Sequence, residues 1–323
     1  ARFMSRTDTA ETMERILTIA LNPAIDVSCD AEHVRPTLKT RTVNQKHFAG
    51  GGGANVARVI AELGGRAELV YLSGGTTGEL YDGLLAQYDI GRHRVPIAGD
   101  NRIALMVHEL STNFEYRFVP EGPTVDPREI EPVHEFIETF EGDYIIASGS
   151  LPNGAPADTY RRMAAVAQKK GIRFVLDTSG EALRETVDHA KIFLLKPSIS
   201  EMEKLVGDRL DEKSASAAAI ELVKRGAAEN IAVSMGKGGA FLANAEGVVR
   251  MRSIHVREAS AVGAGDSFVA GMVWWLTQGH TIHEAFRFGI AAGSAAVMTP
   301  GTELCRRHDV LALYENGVTR VHG

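Results

Sequence analysis

Residues 48–75 read FAGGGGANVARVIAELGGRAELVYLSGG. Four successive glycines, Gly50, Gly51, Gly52 and Gly53, lead into a helical segment over 54–63. Gly64 and Gly65 stop it, a short continuous apolar run follows at 69–72, and Gly74 and Gly75 close the unit. Glycine turn, helix, glycine turn and buried strand make the punctuation of an α/β chain. The same signals continue outward. Short apolar runs predict strands at 16–20, 144–147, 174–176, 192–195 and 231–233. They are continuous rather than alternating, which marks strands covered on both faces. Helices are expected at 79–88, 126–140, 157–170, 181–188 and 214–225, with more at 266–277, 282–298 and 308–315. Alternating strands and helices build a mainly parallel sheet with helices on both faces. Two stretches break this rhythm. Residues 25–48 and 102–119 alternate polar and apolar, as in RTVNQKHF and IALMVHEL. They predict a second, smaller sheet with one solvated face. Because they interrupt the α/β order, they read as a lid inserted into one domain spanning 15–323, with residues 1–14 as a tail outside it.

Composition narrows the class. The 323 residues are 44% hydrophobic and 24% charged, an ordinary globular balance that excludes whole-chain disorder. A net charge of -6 argues against a nucleic-acid binder. It leaves room for an anionic substrate, since a few local cations set the field inside one cleft. The two cysteines, Cys29 and Cys305, are too few for a disulfide framework or a four-cysteine zinc site. That fits a reducing compartment. No apolar run approaches the roughly 18 residues needed to span a bilayer, and the polar start lacks a signal-peptide core. The cytoplasm is the expected location.

The strongest local signal is AVGAGDSFVAGMVWWL, residues 261–276. Gly263, Ala264 and Gly265 open a helix whose free N–H groups and dipole suit a phosphoryl group. Asp266 follows at once. A carboxylate beside an anion hole can take a hydroxyl proton while the hole holds the moving phosphoryl. An N-cap on an ordinary glycine turn is an equal alternative on this pattern alone. The glycines at 50–53 let backbone approach a ligand, and Asn55 adds a donor and an acceptor. A tight loop without a ligand is the plainer account. The dinucleotide pattern G-x-G-x-x-G fails, because its last glycine would fall on Asn55 or Val56. Walker A fails too, since no Gly-Lys is followed by Ser or Thr. SMGKGGA, residues 234–240, is a glycine loop after a strand, either a hairpin or a nucleotide contact. Asp26 in LNPAID reads as a turn cap, and Lys196 and Glu201 as surface charges, when each is taken alone. Lys39, Arg41 and Arg102 lie on or beside the lid strands and would clamp a phosphate if they converge. Trp274 and Trp275 read as core anchors. His280 and His283 lack a third ligand for a metal.

Taken together these motifs identify the chain as resembling the PfkB (ribokinase-like) family of sugar kinases, nearest its branch of minor bacterial 6-phosphofructokinases. The likeness rests on LNPAID, GGGGANVAR, SGSLPNG, DTSGEAL, LLKPSISE, VSMGKGGA, VGAGDS and RFGIAAGSAAVMTPGTELC. It runs from about Ile16 to the last helix. The resemblance implies a three-layer α/β fold with a β-sheet lid, and an ATP-dependent kinase acting on a ketohexose phosphate, fructose 6-phosphate at O1. Asp266 matches the catalytic base, and Gly263, Ala264 and Gly265 the anion hole. Asp26, Gly50 to Gly53 and Asn55 match the sugar-binding face, Ser150 a further substrate contact, and Lys39, Arg41 and Arg102 the cations on the sugar phosphate. Lys196, Ser234, Gly236 and Gly239 match nucleotide contacts, with Ile290 and Ser294 on the adenine side. Glu201 matches the carboxylate that organises magnesium in the outer shell. Ser260, Val262, Ala296, Thr299 and Gly301 match a potassium site. A homodimer through paired lids is implied.

The chain departs from the family at three positions. Ser198 replaces the Asn of N-x-x-E, and a shorter hydroxyl offers less to a hydrated magnesium. Thr299 and Glu303 stand where the phosphofructokinase-2 branch has Asn and Arg. Within the class, 1-phosphofructokinase and tagatose-6-phosphate kinase are the rivals. They usually carry Lys in the glycine loop, GGKG, where this chain has GGGG. An oxidoreductase lacks its fingerprint here, and the retained Asp266 argues against a non-catalytic sugar-phosphate sensor.

Overall fold

A computed structural model describes residues 14–317. Thirteen of the fourteen residues expected as a tail lie outside the described residues. The chain opens with the fully buried β1 (Ile16–Ala20), then β2 (Ala24–Ala31), β3 (Val43–Gly50), α1 (Gly52–Glu62), β4 (Ala67–Ser73), α2 (Gly75–Leu85), β5 (Gly91–Pro96), β6 (Arg102–Glu109) and β7 (Phe114–Phe118). Its middle runs α3 (Pro127–Thr139), β8 (Tyr144–Ser148), α4 (Thr159–Lys170), β9 (Arg173–Asp177), α5 (Gly180–His189), β10 (Ile192–Leu195), α6 (Ile199–Val206), α7 (Glu212–Lys224) and β11 (Ala228–Ser234). A hairpin of β12 (Ala240–Asn244) and β13 (Gly247–Met251) leads to α8 (Ala264–Thr277), α9 (Ile282–Val297) and α10 (Arg307–Asn316).

Nine strands form the main sheet, in the order β13-β12-β11-β10-β9-β8-β1-β4-β5. All its pairings are parallel except β11 with β12 and β12 with β13. One face packs on α1, α8, α9 and α10, and the other on α3, α4, α5 and α7, giving a buried core on each side. This is the expected α/β class. β5, β12 and β13 were not legible in the sequence. β5, GRHRVP, is a polar edge strand with only Val95 buried, and the last two form an antiparallel hairpin at the opposite edge, outside the β–α alternation.

From β1 the chain builds β4 and β5 on one side, then crosses to β8 on the other. The strand order therefore reverses between β1 and β8, and ligands in open α/β sheets bind beyond the carboxyl ends of strands at such a point. Ser148, Asp177 and Ser234 end their strands, Lys196 follows β10 directly, and Asn22 lies two residues past β1.

The second sheet, β3-β2-β6-β7, has four strands. β2 pairs antiparallel with β3 and parallel with β6, and β6 antiparallel with β7. Register puts Asp26, Ser28 and Asp30 on one face with Ala104, Met106 and His108. The opposite face carries Ile25, Val27, Ile103 and Leu105, with Phe118 across from Leu105 and Phe114 across from Glu109. Ile103, Phe114 and Phe118 remain 44%, 63% and 56% exposed. The face read as solvated is thus apolar, because hydrophobic side chains occupy both alternations of β6.

Candidate active site

Asp266 does not cap α8. Gly263 holds the cap position in a left-handed conformation, φ 73°, and Asp266 is the third helical residue. Its carboxylate instead accepts from the Asn55 amide Nδ2 at 2.9 Å and the Ser148 hydroxyl at 3.1 Å. Burial raises its pKa, while Asn55, Ser148, Lys196 and Arg58 pull the other way. The first intrahelical bond after the cap runs from Ser267 N to Gly263 O at 2.9 Å. The N–H groups of Ala264, Gly265 and Asp266 are therefore free of helical partners.

Each glycine of the 50–53 run has its own steric reason. A Cβ on Gly50 would fall 2.0 Å from Asp26 Oδ2, on Gly52 2.4 Å from Ser148 Oγ, and on Gly53 2.1 Å from the Ile19 carbonyl oxygen. Gly51 holds φ 97°. The run lets α1 press its first turn against the ends of β1 and β8. That brings Asn55 and Asp26 to the same cleft. Asp26 is no turn cap: it sits in β2 on the body-facing side of the lid, and burial pushes its carboxyl up to about 6, against Arg58 and Arg102 and with repulsion from Asp266.

Lys196 is likewise not a surface charge. It is buried, and its ammonium lies 3.4 Å from Asp177 Oδ1. Burial opposes its charge, but Asp177, Glu201 and Asp266 more than offset that and raise its pKa. Burial also pushes Asp177 up to about 7, although Lys196 counters it. A Cβ on Gly265 would come within 3.3 Å of Lys196 Nζ, so glycine there leaves the ammonium at the mouth of the α8 anion hole.

Beyond Lys196 opens a cavity of about 710 Å³. Lys196, Ser234, Gly236, Gly239, Ile290 and Ser294 all line it, together with Ala264 and Gly265. The SMGKGGA loop is both a hairpin turn and a wall of this cavity: Gly236–Gly238 form a 3-10 turn between β11 and β12. Ser198 is not among the lining residues. It caps α6, its hydroxyl accepting from Glu201 N at 3.2 Å while Glu201 Oε2 accepts from Ser198 N at 2.8 Å. Glu201 thus spends one oxygen on a capping box.

The lid cations do not converge within one chain. Arg102 stands opposite Ala24 at the base of β2 and donates to the carbonyls of Asn22 (2.8 Å) and Pro120 (3.0 Å). Lys39 and Arg41 are exposed on the β2–β3 connection, beyond the Asp30–Val43 pairing at the other end. At about 3.3 Å per residue the two ends lie roughly 20 Å apart. Ser150 is exposed and accepts from Asn22 Nδ2 at 3.3 Å.

Ser260 and Val262 stand on the turn before α8, Ala296 in the last turn of α9, and Thr299 and Gly301 on the turn after it. The Ala259 and Ser260 N–H groups donate to Val297 O at 2.8 and 3.2 Å, joining the two turns. The Thr299 hydroxyl lies 2.9 Å from Ala296 O and 2.5 Å from Leu304 O; its single proton serves only one of them. Among the described residues no three His, Cys, Asp or Glu side chains cluster to cage a metal, and no helix is long and apolar enough to cross a membrane.

Sequence reasoning missed Ser148, Asp177, Asn22 and Arg58. Asn22, Ser148 and Asp177 lie inside quoted motifs, at or just past strand ends, where that position was the available signal. Arg58 had one as well: it is three residues from Asn55, on the same helical face.

A three-layer α/β body with a β lid beside the carboxyl ends of its strands is an architecture found among sugar kinases, a plant ribokinase with bound ribose and ATP included. The chain belongs to the pfkB carbohydrate kinase family, whose profile matches residues 13–309. It is 39% identical over 308 residues to the ATP-dependent 6-phosphofructokinase isozyme 2 of Mycobacterium tuberculosis, covering 94% of this chain and 90% of the relative. Two solved structures of phosphofructokinase-2 from Escherichia coli cover 94% of this chain and 99% of their own. The complex with potassium matches at a TM-score of 0.89 and 36% identity, that with fructose-6-phosphate at 0.87 and 35%.

Proposed function

We propose that the chain is an ATP-dependent 6-phosphofructokinase, moving the γ-phosphoryl of ATP to O1 of fructose 6-phosphate. The observation that carries this is the half-buried Asp266 carboxylate. It is held by Asn55 and Ser148 where the cavity beside Lys196 meets the Asp26 side of the cleft. Relatives of that name and a fructose-6-phosphate complex of a neighbour support the substrate.

In this reading the sugar lies under the lid, its hydroxyls against Asp26, Asn55 and the 50–53 backbone. The O1 hydroxyl gives its proton to Asp266 as the oxygen attacks phosphorus. The free N–H groups of Ala264 and Gly265 and the Lys196 ammonium take up charge on the transferring oxygens. Lys196 stays charged because Asp177, Glu201 and Asp266 surround it. ATP fills the cavity, with Ile290 and Ser294 at its adenine end. Glu201 would help hold magnesium: it keeps one carboxylate oxygen outside its capping box, suited to an ion held mostly by phosphate oxygens and water. When bound it neutralises the nucleotide phosphates. Potassium would be held by carbonyls of the joined turns around Ser260 and Thr299, where one hydroxyl proton faces two carbonyl oxygens.

The exposed Ile103, Phe114 and Phe118 support a homodimer with paired lids. Lys39 and Arg41 stand too far from Arg102 to share its phosphate in one chain, so in the dimer they serve the partner's cleft. ATP and sugar phosphates as reactants, together with two free buried cysteines, support a cytoplasmic location. A coupled ADP-release screen over fructose 6-phosphate, tagatose 6-phosphate, fructose 1-phosphate and fructose tests the reading. The highest kcat/KM is expected with fructose 6-phosphate. A faster rival, or no turnover with any of them, overturns it.

A further inference from the structure

We propose that Arg58 is a positioning residue for the base, fixing the Asn55 side-chain amide so that its N–H, not its carbonyl, faces Asp266. This rests on the reading of Asp266 as the general base.

Arg58 sits on α1 with 5% of its surface exposed. An arginine buried on the core side of a helix needs a reason, because desolvating a cation costs heavily unless it is hydrogen-bonded. Its guanidinium donates to the Ala49 carbonyl at 3.2 Å, to the Thr302 carbonyl at 3.3 Å, and to Asn55 Oδ1 at 3.3 Å. Its guanidinium carbon lies over the rings of Phe48 and Tyr88, 5.1 and 5.0 Å from their centres. The group is held from three parts of the chain: the end of β3, the first turns of α1, and the loop after α9.

The consequence falls on Asn55. A side-chain amide has a donor end and an acceptor end, and alone it can turn over. Here one neighbour, Arg58, has only donors. The other, ionised Asp266, has only acceptors, and Asn55 Nδ2 donates to its Oδ2 at 2.9 Å. Only one orientation satisfies both. The amide therefore prefers Asp266 ionised, since a proton on Oδ2 would meet N–H. The Arg58 charge adds to this, lowering the pKa of Asp26 and Asp266 against burial. Without Arg58 the Asn55 carbonyl can turn toward a protonated Asp266 and stabilise the wrong form of the base.

The test is a double-mutant cycle on Arg58→Met and Asn55→Ala, with methionine chosen to fill the Phe48–Tyr88 slot. Arg58→Met should lower kcat on the order of 10- to 100-fold, as expected for lost positioning, with KM for ATP changed by less than about twofold. In the Asn55→Ala background the same substitution should change kcat by less than about threefold, because the two act as a unit. Equal effects in both backgrounds overturn the proposal. Should Arg58→Met not fold, Arg58→Lys enters the cycle under the same criterion, and additivity again overturns it. A readout independent of turnover separates this inference from the functional reading. The Asn55 side-chain N–H pair, followed by NMR in the whole protein, should be protected from solvent exchange and lose protection in the Arg58 variant. Protection unchanged in a folded variant refutes the role of Arg58, whatever sugar the enzyme accepts.

Discussion

Asp266→Asn separates chemistry from structure at one atom. The carboxylate accepts two hydrogen bonds, from Asn55 Nδ2 and the Ser148 hydroxyl. The amide of the variant can keep its oxygen toward Asn55 and turn its NH₂ toward Ser148, whose hydroxyl rotates to accept. Both contacts survive as neutral bonds. Each loses about 1 kcal/mol relative to its charged form. Against that loss stands relief from burying a charge, the largest influence on this carboxyl and the one that raises its pKa. The two effects oppose and nearly offset, so the melting temperature should move by no more than about 4 °C. Helix α8 is unaffected, because Gly263 and not Asp266 occupies its cap. Removal of the proton acceptor should cost turnover about 10²–10⁴-fold, the usual share of general-base catalysis. ATP affinity should hold, since Asp266 is not among the residues lining the 710 Å³ cavity. The assay is kcat by coupled ADP release beside melting temperature and the calorimetric Kd for ATP. A folded variant with more than about a tenth of wild-type kcat refutes the reasoning, given that ~10² is the low end of that range.

Arg102→Ala should raise KM for the sugar phosphate by about 10- to 100-fold, the size of a lost charge-assisted contact of about 1.5–3 kcal/mol, and leave KM for ATP nearly unchanged. Equal changes in both would remove Arg102 from the phosphate. Phe118→Asp places a charge on the 56% exposed apolar lid position; sedimentation should then show a monomer with lost activity, and an active dimer would contradict lid pairing. Ser198→Asn keeps an equally good cap on α6, so its melting temperature should stay fixed while the magnesium giving half-maximal rate falls. An unchanged or higher requirement would show that the hydroxyl already suffices.

The sheet and most helices were readable because the buried strands are short, nearly continuous apolar runs, several of them bounded by glycine, as at 69–72 and 144–147. β5 was not, since an edge strand covered on one side needs no apolar run. Residues of the candidate site divide the same way. Those in glycine-rich turns announce themselves, because backbone geometry restricts which residues fit: Gly53 cannot carry a Cβ with the Ile19 carbonyl oxygen 2.1 Å from its place. Ser148 and Asp177 were hidden. Their partners Asp266 and Lys196 lie on other segments, and only the strand order β10-β9-β8-β1 brings these ends together.

Ser198 and Glu201 show the converse limit, where one spacing serves two purposes. S-x-x-E reads as a metal motif with its first residue changed, yet it is equally the pattern of a capping box, and the hydrogen bonds of α6 are those of the box. The two roles are compatible because a carboxylate has two oxygens and the box uses one. Ser at the cap does what Asn would do for the helix. If the proposed magnesium role holds, the exchange acts beyond the helix, at the nucleotide phosphates. That is why a substitution there can move the magnesium requirement while the melting temperature stays still.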